Sequence, residues 1–221
     1  MTFYRLLLWC SLGALCRGAE ASAARSIEVI PRSAWGARPV NGTCVPHTIS
    51  HISVHHTATR TMDNTKSPKR LLGYQRYHQD NKGWVDLAYH LFIDLEGNVY
   101  EGRDVACVGD TSTNYDPSGH LLIVLEGNFE EQAVSPIALD RLIDVIAWGV
   151  DNYSVDLDRV RGHRDLAATA CPGEQLYTTL KNGSLIERVS ALRMSGSPVL
   201  RQMTAEQGAA AIHRIRHSET Q

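Results

Sequence analysis

The sequence predicts a single α/β domain, a central mixed β-sheet flanked by about three main helices. Strand-like runs and helical periodicities alternate within about one domain's length. The 221 residues suffice for one well-buried core with extensions and are too few for two large ones. A formal net charge of -2 gives no reason to expect nucleic acid as a partner, and no basic run suggests a membrane-surface patch.

The elements follow in order. Residues 26–40 (SIEVIPRSAWGARPV) read as an extended lead-in with Pro31 and Pro39. Residues 49–55 form a strand in which Ile52 and Val54 share one face while His55 points to the other. Residues 68–79 form a helix, with Ser67 as N-cap and Pro68 at its first position. Residues 89–94 and 99–101 make a hairpin across Glu96-Gly97-Asn98. The continuous apolar run 121–125 has the pattern of a strand covered on both faces. A helix begins at Ser135-Pro136 and carries Leu139, Leu142, Ile143, Ile146 and Val150 along one side. A strand through Val160 leads into His163, and Leu185, Ile186, Val189 and Leu192 mark a last amphipathic helix. After Ser195 the chain turns polar and Ala-rich, either a peripheral helix or a loose tail. The domain is therefore expected over residues 24–194, with 195–221 as a C-terminal tail.

Residues 1–23 have the form of a signal peptide: Arg5, an apolar stretch over 6–15, and Ala21-Ser22-Ala23 as the cleavage site. That stretch is short for a bilayer span, so a secreted or periplasmic product without a membrane span is expected. Cys10 and Cys16 leave with the signal, so the mature chain keeps Cys44, Cys107 and Cys171. An odd count in an oxidising compartment needs an explanation. With Cys171 bound to a metal, Cys44 and Cys107 become an even pair. They are predicted to form a disulfide joining the loop before the His55 strand to the loop after Arg103.

The metal expectation comes from His55, His163 and Cys171. Two neutral imidazoles and a thiolate suit Zn²⁺, and three protein ligands leave a fourth position open, as catalytic zinc sites do. Singly, each residue has a plainer reading as a packed histidine or a small buried cysteine. Their combination within HISVHHTAT and RGHRDLAATACPG points to a zinc hydrolase. His51, His78, His90 and His120 read as surface or supporting groups, with His90 kept as a substrate contact because it follows Tyr89. Trp84 and Tyr115 are candidate sugar platforms, although core packing accounts for Trp84 equally well.

The segments VHHTAT, GWVDLAYHLFID, GNVYEGRD, LEGNF and GHRDLAATACPG resemble the type-2 N-acetylmuramoyl-L-alanine amidase family. That family includes the peptidoglycan recognition proteins and the phage amidase lysozymes, and SAWGA resembles the opening motif of the recognition-protein branch. The resemblance spans about residues 27–192. It implies a mixed sheet with three principal helices and a zinc groove on one face. It also implies cleavage of the amide between the lactyl group of N-acetylmuramic acid and L-alanine, with peptidoglycan or muropeptides as partner. His55, His163 and Cys171 match the Zn²⁺ ligands. Tyr89 matches a residue beside the attacking water, and Thr169 stands where phage members carry lysine and recognition-protein amidases threonine. Arg103 has two equal readings, a bidentate clasp on a stem-peptide carboxylate or an ion pair with Asp94 or Asp104.

The chain departs from the family in places. Val124 stands where bacterial amidases of the wider family carry glutamate, and Glu126 lies two residues on along the same face. TRTMDNTKSPKR lacks the cysteine pair of animal members, and Arg103-Asp104-Val105 lacks a Gly-Trp pair after the arginine. These features leave the stem type open and tilt the source toward a bacterial exported enzyme rather than an invertebrate protein. Asn41-Gly42-Thr43, Asn152-Tyr153-Ser154 and Asn182-Gly183-Ser184 are sequons that matter only in a eukaryotic secretory pathway. A monomer is the expected state. The competing reading is a non-catalytic peptidoglycan receptor or scavenger; retention of His55, His163, Cys171, Tyr89 and Thr169 favours the enzyme.

Overall fold

A run of six buried residues, β5 (His120–Leu125), stands in the interior of the sheet, as its unbroken apolar pattern predicts. The computed structural model describes residues 25–218, so the signal-peptide reading of residues 1–23 lies outside the described residues. The remaining strands are β1 (Ser26–Ile30), β2 (His51–His56), β3 (Leu91–Ile93), β4 (Val99–Glu101), β6 (Val160–Gly162) and β7 (Val199–Gln202). Their order is β6-β2-β5-β3-β4-β1-β7. Every pairing is parallel except the β3–β4 hairpin, which makes the sheet mixed. The helices are α1 (Arg32–Trp35), α2 (Ser67–Arg76), α3 (Pro136–Tyr153), α4 (Glu174–Lys181), α5 (Ser184–Ser195) and α6 (Ala205–His217).

Strand alternation divides the molecule into two cores. Ile52 and Val54 pack with Leu142 and Ile146 of α3 and Val189 of α5. Ile30, Phe92, Tyr100 and Val124 pack on the other face with Trp35, Leu71 and α6. His55, in register with Val124, belongs to this second face. At about 25 cal/mol per Å² of apolar surface removed from water, both cores favour a fixed sheet, and the strand ends that carry the site are fixed with it.

The N-cap expectation for Ser67 is corrected. A 3-10 turn, Asn64–Lys66, precedes α2, and Asp63 caps it by accepting from Thr65 N–H at 3.0 Å. Ser67 instead donates its hydroxyl to Glu126 at 2.5 Å, tying α2 to the sheet. The helix runs on through a π-helical turn, Tyr77–Asn81. Helix α4 is an element the periodicity does not reveal, because Leu176 is its only buried side chain.

The reading of residues 195–221 as a tail outside the domain is also corrected. β7 pairs with β1 from Ser26↔Val199 to Val29↔Gln202. Helix α6, opened by a Thr204–Gln207 capping box, lays Ala211, Ile212 and Ile215 into the second core. Gly208 makes the close approach possible: a Cβ there would lie 2.6 Å from Pro31 Cδ and 2.8 Å from Ala34 Cβ. A helix docked through glycine and alanine carries little hydrophobic signal in its sequence.

The Cys44–Cys107 disulfide is present, with a Cα separation of 5.4 Å inside the normal range. It closes the two loops at the end of the sheet where Pro46 bridges Cys107. Among the described residues no helix is long and apolar enough to cross a membrane.

Candidate metal centre and cleft

Two neighbouring parallel strands deliver the histidines. His55, next to last in β2, lies on the second face, and His163 follows β6 at the start of a 3-10 turn, His163–Asp165. Their rings are 4.6 Å apart. Cys171 arrives from the loop before α4, and one ligand atom from each of the three lies within 4.8 Å of the others. Cys171 Sγ is 3.6 Å from His55 Nδ1 and accepts from His56 N–H at 3.4 Å.

The loop that carries Cys171 is anchored from both sides. Arg164 donates to Glu130 at 2.6 Å, to Glu174 at 2.5 Å and to the carbonyl of Ala170 at 2.5 Å. Gly173, at φ +89°, is pressed so closely onto Phe129 that a Cβ would come within 2.6 Å of its backbone. Only glycine fits both the conformation and the space. His56 accepts from Phe129 N–H at 3.2 Å, locking to β2 the β5–α3 loop on which Gly173 packs.

The donor chemistry fits zinc. Two ligands on one tetrahedral ion, with Zn–N about 2.05 Å and Zn–S about 2.3 Å, stand roughly 3.6 Å apart, which the His55–Cys171 separation matches. Burial pushes the imidazole of His163 down to about 4 and holds His55 well below its ordinary range, so both present neutral nitrogens. Burial also pushes the Cys171 thiol up to about 12. A coordinated zinc ion deprotonates such a thiol outright.

A cleft of about 300 Å³ opens over the three donors, and Trp84, Tyr89 and Thr169 line it. The Tyr89 ring lies 5.3 Å from that of His55, and burial raises its hydroxyl pKa well above the ordinary phenol value. Thr169 Oγ1 accepts from Cys171 N–H at 3.2 Å, leaving its own proton to donate. Lys82, also in the lining, holds its ammonium 5.8 Å from the Tyr77 ring and 6.0 Å from the Trp84 ring.

Three expected contacts lie elsewhere. Arg103, only 3% exposed, donates to the carbonyls of Leu87, Val108 and Asp86 and pairs with Asp110, rather than Asp94 or Asp104. Its guanidinium is spent on its own fold. His90 is fully buried between Cys107 O and Leu122 N–H, outside the cleft lining. Tyr115 is half-buried and stands edge-on to His163 at 5.1 Å, its hydroxyl buried, so it backs that imidazole instead of lining the cleft. His78 and His120, expected at the surface or in support, are both buried. Glu126 is 1% exposed and paired with Arg70, away from the cleft.

The sequence reading missed Thr113, whose Oγ1 lies 2.8 Å from His163 Nε2, and the Arg164 clamp. The arginine inside RGHRD was a usable signal, since a cation beside a ligand loop seeks partners. The threonine sits in an irregular loop that no periodicity marks.

The sequence profile described as N-acetylmuramoyl-L-alanine amidase matches residues 45–174. Peptidoglycan recognition protein 1 of Mus musculus is 31% identical over 158 residues, 70% of this chain and 86% of that protein. The Homo sapiens protein named N-acetylmuramoyl-L-alanine amidase is 31% identical over 162 residues, 68% of this chain and 27% of that protein. The crystal structure of peptidoglycan recognition protein-LE in complex with tracheal cytotoxin, a monomeric diaminopimelic acid-type peptidoglycan, superposes with a TM-score of 0.64. It is 28% identical, covering 70% of this chain and 92% of that one.

Proposed function

This chain belongs to the N-acetylmuramoyl-L-alanine amidase family, and from that premise we propose that it is an exported, zinc-dependent amidase. Its substrate is peptidoglycan or a muropeptide, and the bond hydrolysed is the amide between N-acetylmuramic acid and L-alanine. The observation that carries the reading is the His55, His163, Cys171 donor set at the floor of an open cleft. Relatives support the substrate class, since the recognition protein-LE structure holds a monomeric peptidoglycan. Export is supported by the Arg5-to-Ala23 pattern and by the Cys44–Cys107 disulfide, a bond at home in oxidising compartments.

His55, His163 and Cys171 would hold Zn²⁺, which supplies Lewis acidity and lowers the pKa of a water from ~15.7 toward ~7. The protein's own groups do the rest. Tyr89 is an O–H donor at neutral pH, its pKa raised further by burial, and is able to stabilise the carbonyl oxygen as it gains charge. A donor of this kind contributes about 2.7–4 kcal/mol. Thr169, its oxygen occupied by Cys171 N–H, offers a second proton at the cleft floor. The carboxylate in the cleft lining, Asp110, is committed to Arg103, and Glu126 lies away from the cleft, paired with Arg70. Hydroxyls, rather than a carboxylate, therefore flank the metal donors. The Trp84 ring offers an apolar face for substrate packing.

Mass spectrometry of muropeptides incubated with mature protein tests this reading. Free stem peptides beginning with L-alanine, lost with a zinc chelator and restored by Zn²⁺, are the expected result. Zinc-loaded protein that binds peptidoglycan of several stem types and releases nothing is a receptor instead.

A further inference from the structure

Thr113 reaches the metal centre from the loop between β4 and β5 and touches it at a single atom. Its Oγ1 lies 2.8 Å from His163 Nε2 and 2.8 Å from Thr111 Oγ1. Thr111 Oγ1 also accepts from the Thr113 backbone N–H at 3.2 Å. A hydroxyl has one proton and two lone pairs. Thr111 uses one lone pair for the backbone N–H and has the other free to accept the Thr113 hydroxyl proton. In that arrangement Thr113 turns a lone pair toward the imidazole, and the imidazole supplies the N–H.

We propose that Thr113 is a positioning residue that fixes His163 as its Nε2–H tautomer, so that Nδ1 becomes the metal donor, with Thr111 orienting the Thr113 hydroxyl. The inference rests on the zinc reading above. Thr113 is the sole hydrogen-bond partner of the His163 ring among the described residues. The other neighbours, the His55 ring at 4.6 Å and the Tyr115 edge at 5.1 Å, set the plane of the imidazole and are indifferent to which nitrogen is protonated. His55 has no such partner, since its Nε2 is buried without one. Between the two histidines, outer-sphere control thus falls on His163. Loss of such a partner typically lowers metal affinity about 10–100-fold.

The test is zinc affinity of the mature protein, measured by competition with a chromophoric chelator. Thr113→Val keeps the shape and loses the hydroxyl, and it should weaken zinc binding about 10–100-fold. Thr113→Ser should restore it to near the wild-type value. Nitrogen-15 NMR of histidine-labelled apoprotein should place the His163 proton on Nε2, a readout that survives even if the valine variant fails to fold. Circular dichroism and melting of the apoproteins check that both variants are folded. Wild-type affinity in folded Thr113→Val, serine no better than valine, or a proton on Nδ1 overturns the proposal while leaving the zinc reading intact. Wild-type protein without zinc affinity overturns both.

Discussion

Cys171 Sγ and His55 Nδ1 stand 3.6 Å apart although 116 residues separate them in sequence. Parallel pairing of β2 with β6 brings His163 beside His55, and the Arg164 clamp returns the Cys171 loop to the same point. The donor geometry therefore belongs to the folded chain itself. Zinc should bind the native state far better than the unfolded one, and its stabilisation grows with free metal.

A free Zn²⁺ concentration 100 times its Kd should stabilise the protein by about 2.7 kcal/mol, read as a rise in melting temperature over chelated protein. Cys171→Ala should melt near the chelated wild type and gain nothing from added zinc. An equal zinc-dependent rise in the variant excludes Cys171 as a ligand.

Tyr89→Phe separates binding from chemistry. The ring, with its contact to His55, is retained, and only the hydroxyl is lost. Zinc affinity should stay unchanged while kcat falls about 10²–10³-fold. Unchanged turnover returns Tyr89 to the role of a packing aromatic.

His90 is one of several buried histidines through which stability should fall with acid. Burial lowers its pKa from 6.5 to about 4, against an opposing contribution from the Cys107 carbonyl. His47 and Arg103 push the same way as burial, and Asp104 opposes. Protonation also has a structural cost, because Nδ1 accepts from Leu122 N–H at 2.9 Å and a proton there breaks the bond. A depressed histidine pKa makes the unfolded chain the better proton binder between the two values. Stability from this group is complete above pH 6.5 and is lost as pH falls toward about 4. Chelated protein should lose up to about 1.4 kcal/mol per pH unit for each such proton, and His90→Gln should flatten the slope. The same slope in that variant assigns the acid lability to other groups.

The residues that were legible obey periodic rules. Strand alternation predicted that His55 faces away from Ile52 and Val54, and the cysteine count predicted the Cys44–Cys107 bond. His90 departs from the expected substrate contact by that same alternation: the neighbour of a cleft residue on an extended chain points to the opposite side. The partner of Arg103 is not legible in the sequence, because Asp110 comes back through an irregular loop. Thr113 is a loop residue of the same kind. Helix α6 hid for another reason, as its docking surface is built from small side chains whose close fit exists only in three dimensions.

That close fit makes Gly208→Ala diagnostic, because the two accounts of the C-terminal segment predict opposite signs. On a loose or undocked helix, alanine in place of glycine stabilises by about 0.8–1.0 kcal/mol. With α6 seated on α1, the new methyl meets Pro31 and Ala34 at distances no real Cβ tolerates. The helix must then shift, at a cost of about 1–3 kcal/mol for overpacking, and Ile212 and Ile215 lose contact with the core they share with Trp35. Denaturant unfolding of folded wild type and variant reads the sign directly. A destabilised variant that retains zinc affinity places the effect at the α1–α6 seam, remote from the metal donors. A stabilised one means that α6 does not sit on α1 in solution.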